Sequence, residues 1–300
     1  MLAIVIPYYK IAFFEETLRS LANQTDHRFK VYIGNDASPE DPSVLLKKFE
    51  DKIDYSYHYF EENLGSVSLV KQWQRCIGLV ENEEWIMILG DDDFLEGNAV
   101  ETWYSDYQYF KSHTNVVRFA SKVIYEETKI ISEAFVHPVW EKASDFYYRK
   151  FTGKTRSSLS EYIFTRKVYD VYGFHDYPLA WHSDDKAWIE YSEKMQIYTI
   201  NDSCIYVRMS NENISGKKNN MLQKKKAAEM FLGDLITDNL CQFEKSQRLE
   251  FLLEYEKTIK DQRKLSIKEW SSLMYLYAVN FKPIPFLKFI RRLFIGIFSR

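Results

Sequence analysis

Cysteine is scarce in this chain. The three present, Cys76, Cys204 and Cys241, are widely spaced and odd in number. They build neither a disulfide framework nor a zinc site, and they fit a reducing compartment. Long apolar runs are absent: nothing approaches the roughly 18 residues that a membrane-crossing helix requires. No basic stretch precedes the first apolar run, which stops at Pro7, and no secretory signal peptide is expected. Positive charge is not in surplus either. A formal net charge of -3 argues against a general nucleic-acid binder, whose surface has to be basic to meet phosphate. Gly-x-Gly-x-x-Gly and P-loop signatures are both missing, which removes the phosphate cradle of dinucleotide enzymes and ATPases. Apart from His182, the histidines form no metal-ligand spacing and no Ser/His/Asp arrangement. No internal repeat or low-complexity segment occurs.

What the first hundred residues do have is alternation. Residues 2–7 are a continuous apolar run ending at proline, the pattern of a buried parallel strand. Residues 14–23 follow with Phe14, Leu18 and Leu21 at helical spacing. A second buried strand over 29–34 closes on Asn35-Asp36-Ala37-Ser38-Pro39, whose Asp and Ser suit the cap of a helix over about 42–50. A strand over 55–60, a helix over about 66–80 opened by Asn63-Leu64-Gly65, and a strand over 85–89 continue the series. This is the pace of βαβ units, and it predicts an α/β fold with a mostly parallel sheet and right-handed crossovers. Helices are next expected over 99–111 and 144–151, and strands over 116–120, 159–165, 197–200 and 205–209. Residues 122–133 suit a hairpin, and the pattern from 221 onward is helical. Most of the 22 Tyr and 21 Phe must lie in core or interfaces, although a Tyr-rich surface also suits stacking on a sugar or nucleobase.

The stretch from Trp85 to Leu95 organises the rest. Its apolar run, 85–89, is long enough for one buried strand and too short for a helix. Gly90 ends the run, and Asp91, Asp92 and Asp93 follow. Adjacent like charges repel unless a cation or solvent screens them. Hard ions such as Mg²⁺ or Mn²⁺ prefer carboxylate oxygen and commonly sit between a carboxylate and a phosphate. The carboxyl end of a strand in an open α/β sheet is also where ligands bind. The triplet therefore reads as a metal–diphosphate site; the plainer alternative is a solvated acidic turn capping the helix that begins near Gly97.

The order VIPYYK, a strand ending NDAS, NLG, then LGDDDFL resembles the family-2 glycosyltransferases of the GT-A fold. Their usual signature is a strand ending in Pro-x-Tyr, then Asp-Asp-Gly-Ser, then an Asp-x-Asp loop, with a later acidic pair carrying the base. The resemblance covers residues 1 to about 210. It implies a Rossmann-like, mostly parallel sheet with flanking helices, and a nucleotide-sugar donor, with a UDP-sugar favoured. Pro7 and Tyr9 would lie against base and ribose, and Asp36 would hydrogen-bond the base. Asp92 would ligate Mn²⁺ or Mg²⁺, with Asp91 and Asp93 supporting the ion or reaching the ribose. Asn35 and Ala37 stand where the family usually has Asp and Gly, which leaves the identity of the base open. Further on, Gly173-Phe174 and then Trp181-His-Ser-Asp-Asp-Lys-Ala-Trp188 match the family's Gly-Phe segment and acidic pair. Asp184 falls on its Glu and Asp185 on its catalytic base. Two carboxylates at a helix start are also what ordinary capping looks like.

Other candidates are less sharply defined. His182 could help bind acceptor or diphosphate, or could be a hydrogen-bonded surface residue. Lys71 lies on the nucleotide side by topology, or is a surface lysine. The polar segment 208–218, with Arg208, Lys217 and Lys218, reads either as a lid that closes on the diphosphate or as an interdomain linker. Near the end, Ile290, Leu293, Phe294, Ile297 and Phe298 share one helical face, with Lys288, Arg291 and Arg292 opposite, and no acid follows Glu269. That pattern resembles an interfacial membrane anchor over 284–299, and equally suits a packed terminal helix.

These readings divide the chain into a GT-A catalytic domain, 1–216, and a helical C-terminal region, 217–300. The nucleotide-sugar half of the catalytic domain would be about 1–120 and the acceptor half about 121–216. The expected activity is metal-dependent, inverting transfer of a sugar to a saccharide or lipid-linked acceptor in capsular or surface polysaccharide synthesis. The expected place is cytoplasmic, peripheral on the inner face of the cell membrane. A sugar-phosphate nucleotidyltransferase is a rival, although Pro7-Tyr-Tyr-Lys10 lacks the glycines such enzymes carry after the first strand. A non-catalytic, membrane-associated partner of the same fold is another.

Overall fold

The structure, a computed structural model, describes residues 1–210, 216 and 220–298, with side chains through 296 in the last helix. Lys217 and Lys218 lie outside the described residues, as do the side chains of Ile297 and Phe298. Strands β1 (Leu2–Tyr8), β2 (Phe29–Asp36), β3 (Tyr55–Phe60) and β4 (Trp85–Ile88) alternate with helices α1 (Phe14–Ala22), α2 (Ser43–Lys47) and α3 (Leu69–Ile77). Side chains of β1 leave alternately by the two faces of the sheet. Leu2, Ile4, Ile6 and Tyr8 join one buried cluster, with Phe14, Leu18 and Trp103; Ala3 and Val5 join another, with Val70, Ile77 and Trp188. Helices cover both faces, and this is why β1 reads as unbroken hydrophobic sequence.

The chain continues through β5 (Phe94–Leu95), α4 (Ala99–Phe110), β6 (Val116–Tyr125), β7 (Ile130–Ile131), β8 (Trp140–Glu141) and α5 (Ala143–Phe151). After these come β9 (Tyr162–Thr165), α6 (Arg166–Tyr172), α7 (Ser183–Tyr191) and β10 (Ile197–Met209). The sheet runs β3-β2-β1-β4-β9-β6-β10-β5, with β7 on β6 and β8 on β10. Strands β3, β2, β1 and β4 pair in parallel with one another, β6 pairs in parallel with β10, and β9 is antiparallel to both β4 and β6. The carboxyl ends of β1, β2, β4, β6 and β10 therefore share one rim, and the turn leading into β9 arrives at that rim as well.

In the sheet, several details differ from the sequence reading. The two short strands expected over 197–209 are one, kept continuous by a register shift between Ile200 and Cys204. The strand expected over 159–165 begins as a 3₁₀ turn, Leu159–Glu161, because Ser158 and Glu161 form a capping box. The hairpin is present, but its first arm is the end of β6, which runs to Tyr125.

The chain divides into two compact units, Met1–Asn220 and Met221–Arg300. The second holds α8 (Met221–Asp234), α9 (Lys245–Lys260), α10 (Ile267–Val279) and α11 (Pro283–Phe298). Helix α11 is rolled relative to the expected orientation. Phe289 is fully buried and stacks on Tyr277 with ring centroids 4.4 Å apart. Arg292, expected on the exposed basic face, turns inward to Glu256 at 2.9 and 3.0 Å and to the Tyr277 hydroxyl at 3.2 Å. Glu256 is 1% exposed and also accepts from Lys260 Nζ at 2.6 Å, so this buried carboxylate is answered by two cations, and Arg292 supplies the second. No described helix is long and apolar enough to cross a membrane.

Candidate active site

The acidic loop leaves β4 at the shared rim and is tied down from both sides. Asp91 Oδ2 accepts the backbone N–H groups of Tyr9 and Lys10, each at 2.8 Å, which fastens the loop to the end of β1. Asp93 Oδ1 accepts the Arg208 N–H at 2.8 Å, and its Oδ2 accepts the Ser160 hydroxyl at 2.5 Å. That same Ser160 oxygen accepts the Gly90 N–H at 3.1 Å. Thr17 of α1 donates to the Asp93 carbonyl at 2.8 Å. Burial pushes the carboxyls of Asp91 and Asp93 up to about 7, and the charge of Asp92 between them adds to the push. A Cβ at Gly90 would lie 3.0 Å from Asp92 Oδ1 and 3.1 Å from Asp93 Oδ2. Glycine is what lets the two carboxylates fold back over the strand end.

The donor set at this loop fits a hard divalent cation, since its oxygens are carboxylate oxygens and the partly exposed Asp92 stands over the glycine. Asp91 and Asp93, expected as further ligands, accept backbone and hydroxyl donors that fix them beside Asp92. Among the described residues no group of three or more His, Cys, Asp or Glu side chains is arranged to hold an ion by itself. An ion here would complete its coordination with ligand oxygens and water.

Along the rim, the end of β2 meets the end of β1. Ser38 Oγ donates to the Tyr9 carbonyl at 2.5 Å, and Asn35 Oδ1 accepts the Ser38 N–H at 2.8 Å. Tyr9 is exposed and Pro7 partly so. Asp36 is buried, and its two oxygens accept the N–H groups of Leu64 and Gly65 at 2.8 and 2.9 Å while Arg75 pairs with it. Burial raises its carboxyl above the usual range, with those hydrogen bonds and Arg75 pulling the other way. Asp36 thus pins the Asn63-Leu64-Gly65 turn to the strand end. Lys71 is exposed on the first turn of α3, the helix that Ser68 caps by accepting the Lys71 N–H at 3.1 Å. Ser68 also donates to Asp176 at 2.6 Å, which joins this side of the rim to the segment before α7.

That segment is strained. Leu179, Ala180 and His182 all have positive φ, at 60°, 53° and 70°, a region that costs a side-chain-bearing residue roughly 1–3 kcal/mol and gathers at functional sites. The turn delivers Asp184 and Asp185 to the start of α7. Asp185 is 1% exposed. It accepts from Lys150 Nζ at 2.5 Å and pairs with His182 Nδ1 at 2.8 Å. Burial opposes its charge, but Lys150 and His182 overcome this and hold it below the usual carboxylate range. Its neighbour Asp184, partly exposed, is displaced the opposite way, up to about 6, by burial and by the charge on Asp185. Arg156 lies near both acidic centres and donates to Ser121 and Glu161 at 2.7 and 2.8 Å. Its charge reaches Asp93, which it draws down, and Lys150, which it opposes.

The candidate Arg208 lies at the end of β10, not in a free loop. Its guanidinium bonds Glu16 and Glu126, donates through Nε to the Asp92 carbonyl at 3.1 Å, and stacks 4.1 Å from the centre of the Phe13 ring. Its charge is answered by two carboxylates of the protein, and its visible work is to hold the acidic loop. Lys150, Arg156 and Ser160 were not singled out by the sequence. Only the last had a local signal, the Ser158-Leu-Ser-Glu161 capping box around it. Lys150 sits 35 residues from Asp185 in an aromatic helix, with nothing in its surroundings to mark it.

Comparison with known proteins bears on this arrangement. A curated relative, an uncharacterized glycosyltransferase of Rickettsia bellii (strain RML369-C), is 29% identical over 147 residues, which is 47% of this chain and 20% of that protein. The chain thus spans about a fifth of the length of that relative. Among solved structures, S. aureus TarS 1-349 in complex with UDP-GlcNAc aligns with a TM-score of 0.64 at 15% identity, over 93% of this chain and 80% of that one. The crystal structure of S. aureus TarS aligns with a TM-score of 0.62 at 13% identity, over 99% and 52%. At such identities the likeness is one of fold, GT-A with helices at the C-terminus. The model described as "Glycosyl transferase family 2" matches residues 3–170, a span that runs from β1 through the acidic loop and β9 into α6. By that match the chain belongs to glycosyl transferase family 2.

Proposed function

We propose that the chain is a metal-dependent, inverting glycosyltransferase. It moves a sugar from a nucleoside-diphosphate donor, a UDP-sugar by preference, to a hydroxyl of a saccharide or lipid-linked acceptor. The observation that carries this reading is the partly exposed Asp92, held at the sheet rim by its two anchored neighbours, on the same rim as the strained turn bearing Asp184 and Asp185. TarS was crystallised with UDP-GlcNAc and with UDP, which supports a uridine donor on this fold. Nucleotide binding falls to the exposed Tyr9, to Pro7 and to the turn that Asp36 pins.

Breaking the bond between the anomeric carbon and the diphosphate puts negative charge on the leaving group. Mg²⁺ or Mn²⁺ on Asp92 would supply the opposing charge there. The acceptor hydroxyl must lose its proton during attack, and the Asp184–Asp185 pair receives it. Asp185, expected as the base, is enclosed by Lys150 and His182 and keeps its charge. That charge makes the more accessible Asp184 the stronger base of the two. Attack from the side opposite the leaving group inverts the anomeric centre. The two spans of the first unit, about 1–120 and 121–216, then divide donor from acceptor. The work is placed at the cytoplasmic face of a membrane, in synthesis of a surface polysaccharide.

The deciding experiment is turnover of UDP- and GDP-sugars with Mn²⁺ or Mg²⁺ by the parent, Asp92→Ala and Asp185→Ala. Transfer by the parent and its loss in both variants is expected. Equal rates in all three would dismiss the reading.

A further inference from the structure

We propose that the outer face of α11 seats on an anionic lipid bilayer, lying in the headgroup layer without crossing it. This deepens the peripheral membrane location proposed above and is independent of the catalytic chemistry.

The face is defined by what the second unit buries and what it leaves out. Phe289 and Arg292 point inward, against Tyr277 and Glu256. Gly296 faces Trp270, whose ring would lie 2.5 Å from a Cβ there. The opposite arc carries Ile284, Leu287, Phe294 and Ile295, at 67, 66, 58 and 53% exposure, with Lys288 and Arg291 exposed among them. These positions follow the three- and four-residue spacing of a single helical stripe. A stripe of large aliphatic side chains interleaved with two cations is an unfavourable surface for water alone and for an apolar groove alone. It suits an interface that offers hydrocarbon beneath phosphate, where Lys and Arg extend their stems along the apolar layer and keep their charge among headgroups.

Charge selects the occupant. No Asp or Glu follows Glu269 in the sequence, and Arg292, the one cation with an internal carboxylate partner on this helix, is turned away from the face. A second copy docked by a two-fold axis would set Lys288 and Arg291 against their own kind with no acid on the face to answer them. Anionic headgroups answer both. The 16 described residues of α11 rise only about 24 Å, less than the roughly 30 Å hydrocarbon core.

The test is co-sedimentation of the full chain with vesicles of phosphatidylcholine alone and of phosphatidylcholine mixed with phosphatidylglycerol, at low and high salt. Binding to the anionic vesicles only, weakening as salt rises, is expected. Lys288→Gln/Arg291→Gln should bind those vesicles about thirtyfold more weakly. Leu287→Gln/Ile295→Gln should lose most of the binding that remains at high salt. All four side chains are exposed, so thermal melts should match the parent; if the aliphatic pair alone melts early, the charge pair decides. The proposal is overturned if the parent stays in the supernatant or pellets equally with both vesicle types. It is also overturned if the parent self-associates without vesicles and the aliphatic variant turns it monomeric. Sugar transfer to a soluble acceptor is measured in parallel, so that a failure of lipid binding is separated from a failure of catalysis.

Discussion

At the scale of single residues, the acidic loop holds a tension that can be measured. Asp92 sits between two carboxyls that burial and its own charge have pushed up to about 7. Asp92→Asn removes the charge that disfavours them. It should abolish the proposed metal-dependent transfer while raising unfolding stability by about 1 kcal/mol, read by chemical denaturation beside the activity assay. Lys150 has the opposite character. It faces a carboxylate that is 1% exposed, and Lys150→Met leaves that charge to His182 alone, at an expected cost of about 3 kcal/mol in the same denaturation experiment. The sign of the pH dependence follows from the direction of each shift. Asp185 is held low, so its contribution to stability is present above the ordinary carboxylate pKa and lost as pH falls through the lower folded value. Lys150→Met should shrink that acid limb, leaving the part that His182 maintains. In the proposed catalysis the pair offers one site for a proton, so kcat/KM should fall below about pH 6, where Asp184 becomes protonated. Asp184→Asn should remove that limb along with most of the rate, and an unchanged profile would count against Asp184 as acceptor of the proton.

At the scale of elements, much is legible in sequence, for a reason that also sets the limit. The strands β1 to β4 and their helices are read from periodicity because each carries its own burial pattern within a few residues. Strand β5 is two residues long and exists because Phe94 and Leu95 pair with Tyr206 and Ile205, partners far along the chain. The antiparallel sense of β9 is likewise a matter of neighbours, β4 and β6. The carboxylates of the site are visible as types, and their partners are not. Lys150, Arg156 and Arg75 are ordinary cations until the fold brings Asp185, Glu161 and Asp36 to them. The roll of α11 escapes a count of apolar spacing because buried Glu256 and the Tyr277 ring decide which side turns in. Two glycines test how elements meet. A Cβ at Gly65 would press on Asp36 Oδ2, so Gly65→Ala should loosen the pinned turn and raise the donor KM about tenfold with kcat less affected. A Cβ at Gly296 would meet Trp270 at 2.5 Å, so Gly296→Ala should lower stability of the helical unit by about 1–2 kcal/mol in a thermal melt.

For the whole molecule, donor binding should appear as stabilisation. A nucleotide sugar at a hundred times its Kd contributes about 2.7 kcal/mol, which raises Tm by roughly 5–10 °C. A panel of UDP- and GDP-sugars with and without Mn²⁺ should single out one donor whose effect needs the ion and disappears in Asp92→Ala. No stabilisation by any donor in the panel would undercut the assignment of a nucleotide site to this rim. The arrangement of that rim also dictates when the protein can first act. Arg208 closes the loop through its N–H to Asp93 and its Nε to the Asp92 carbonyl, across 115 and 116 positions of chain. On the ribosome, a nascent polypeptide halted between Ser160 and β10 would already possess every aspartate of the triplet and the ties of Asp91 to the end of β1 and of Asp93 to Ser160, yet would lack the clasp from Arg208 that closes the loop. Competence thus arrives late in synthesis, with the last strand of the sheet.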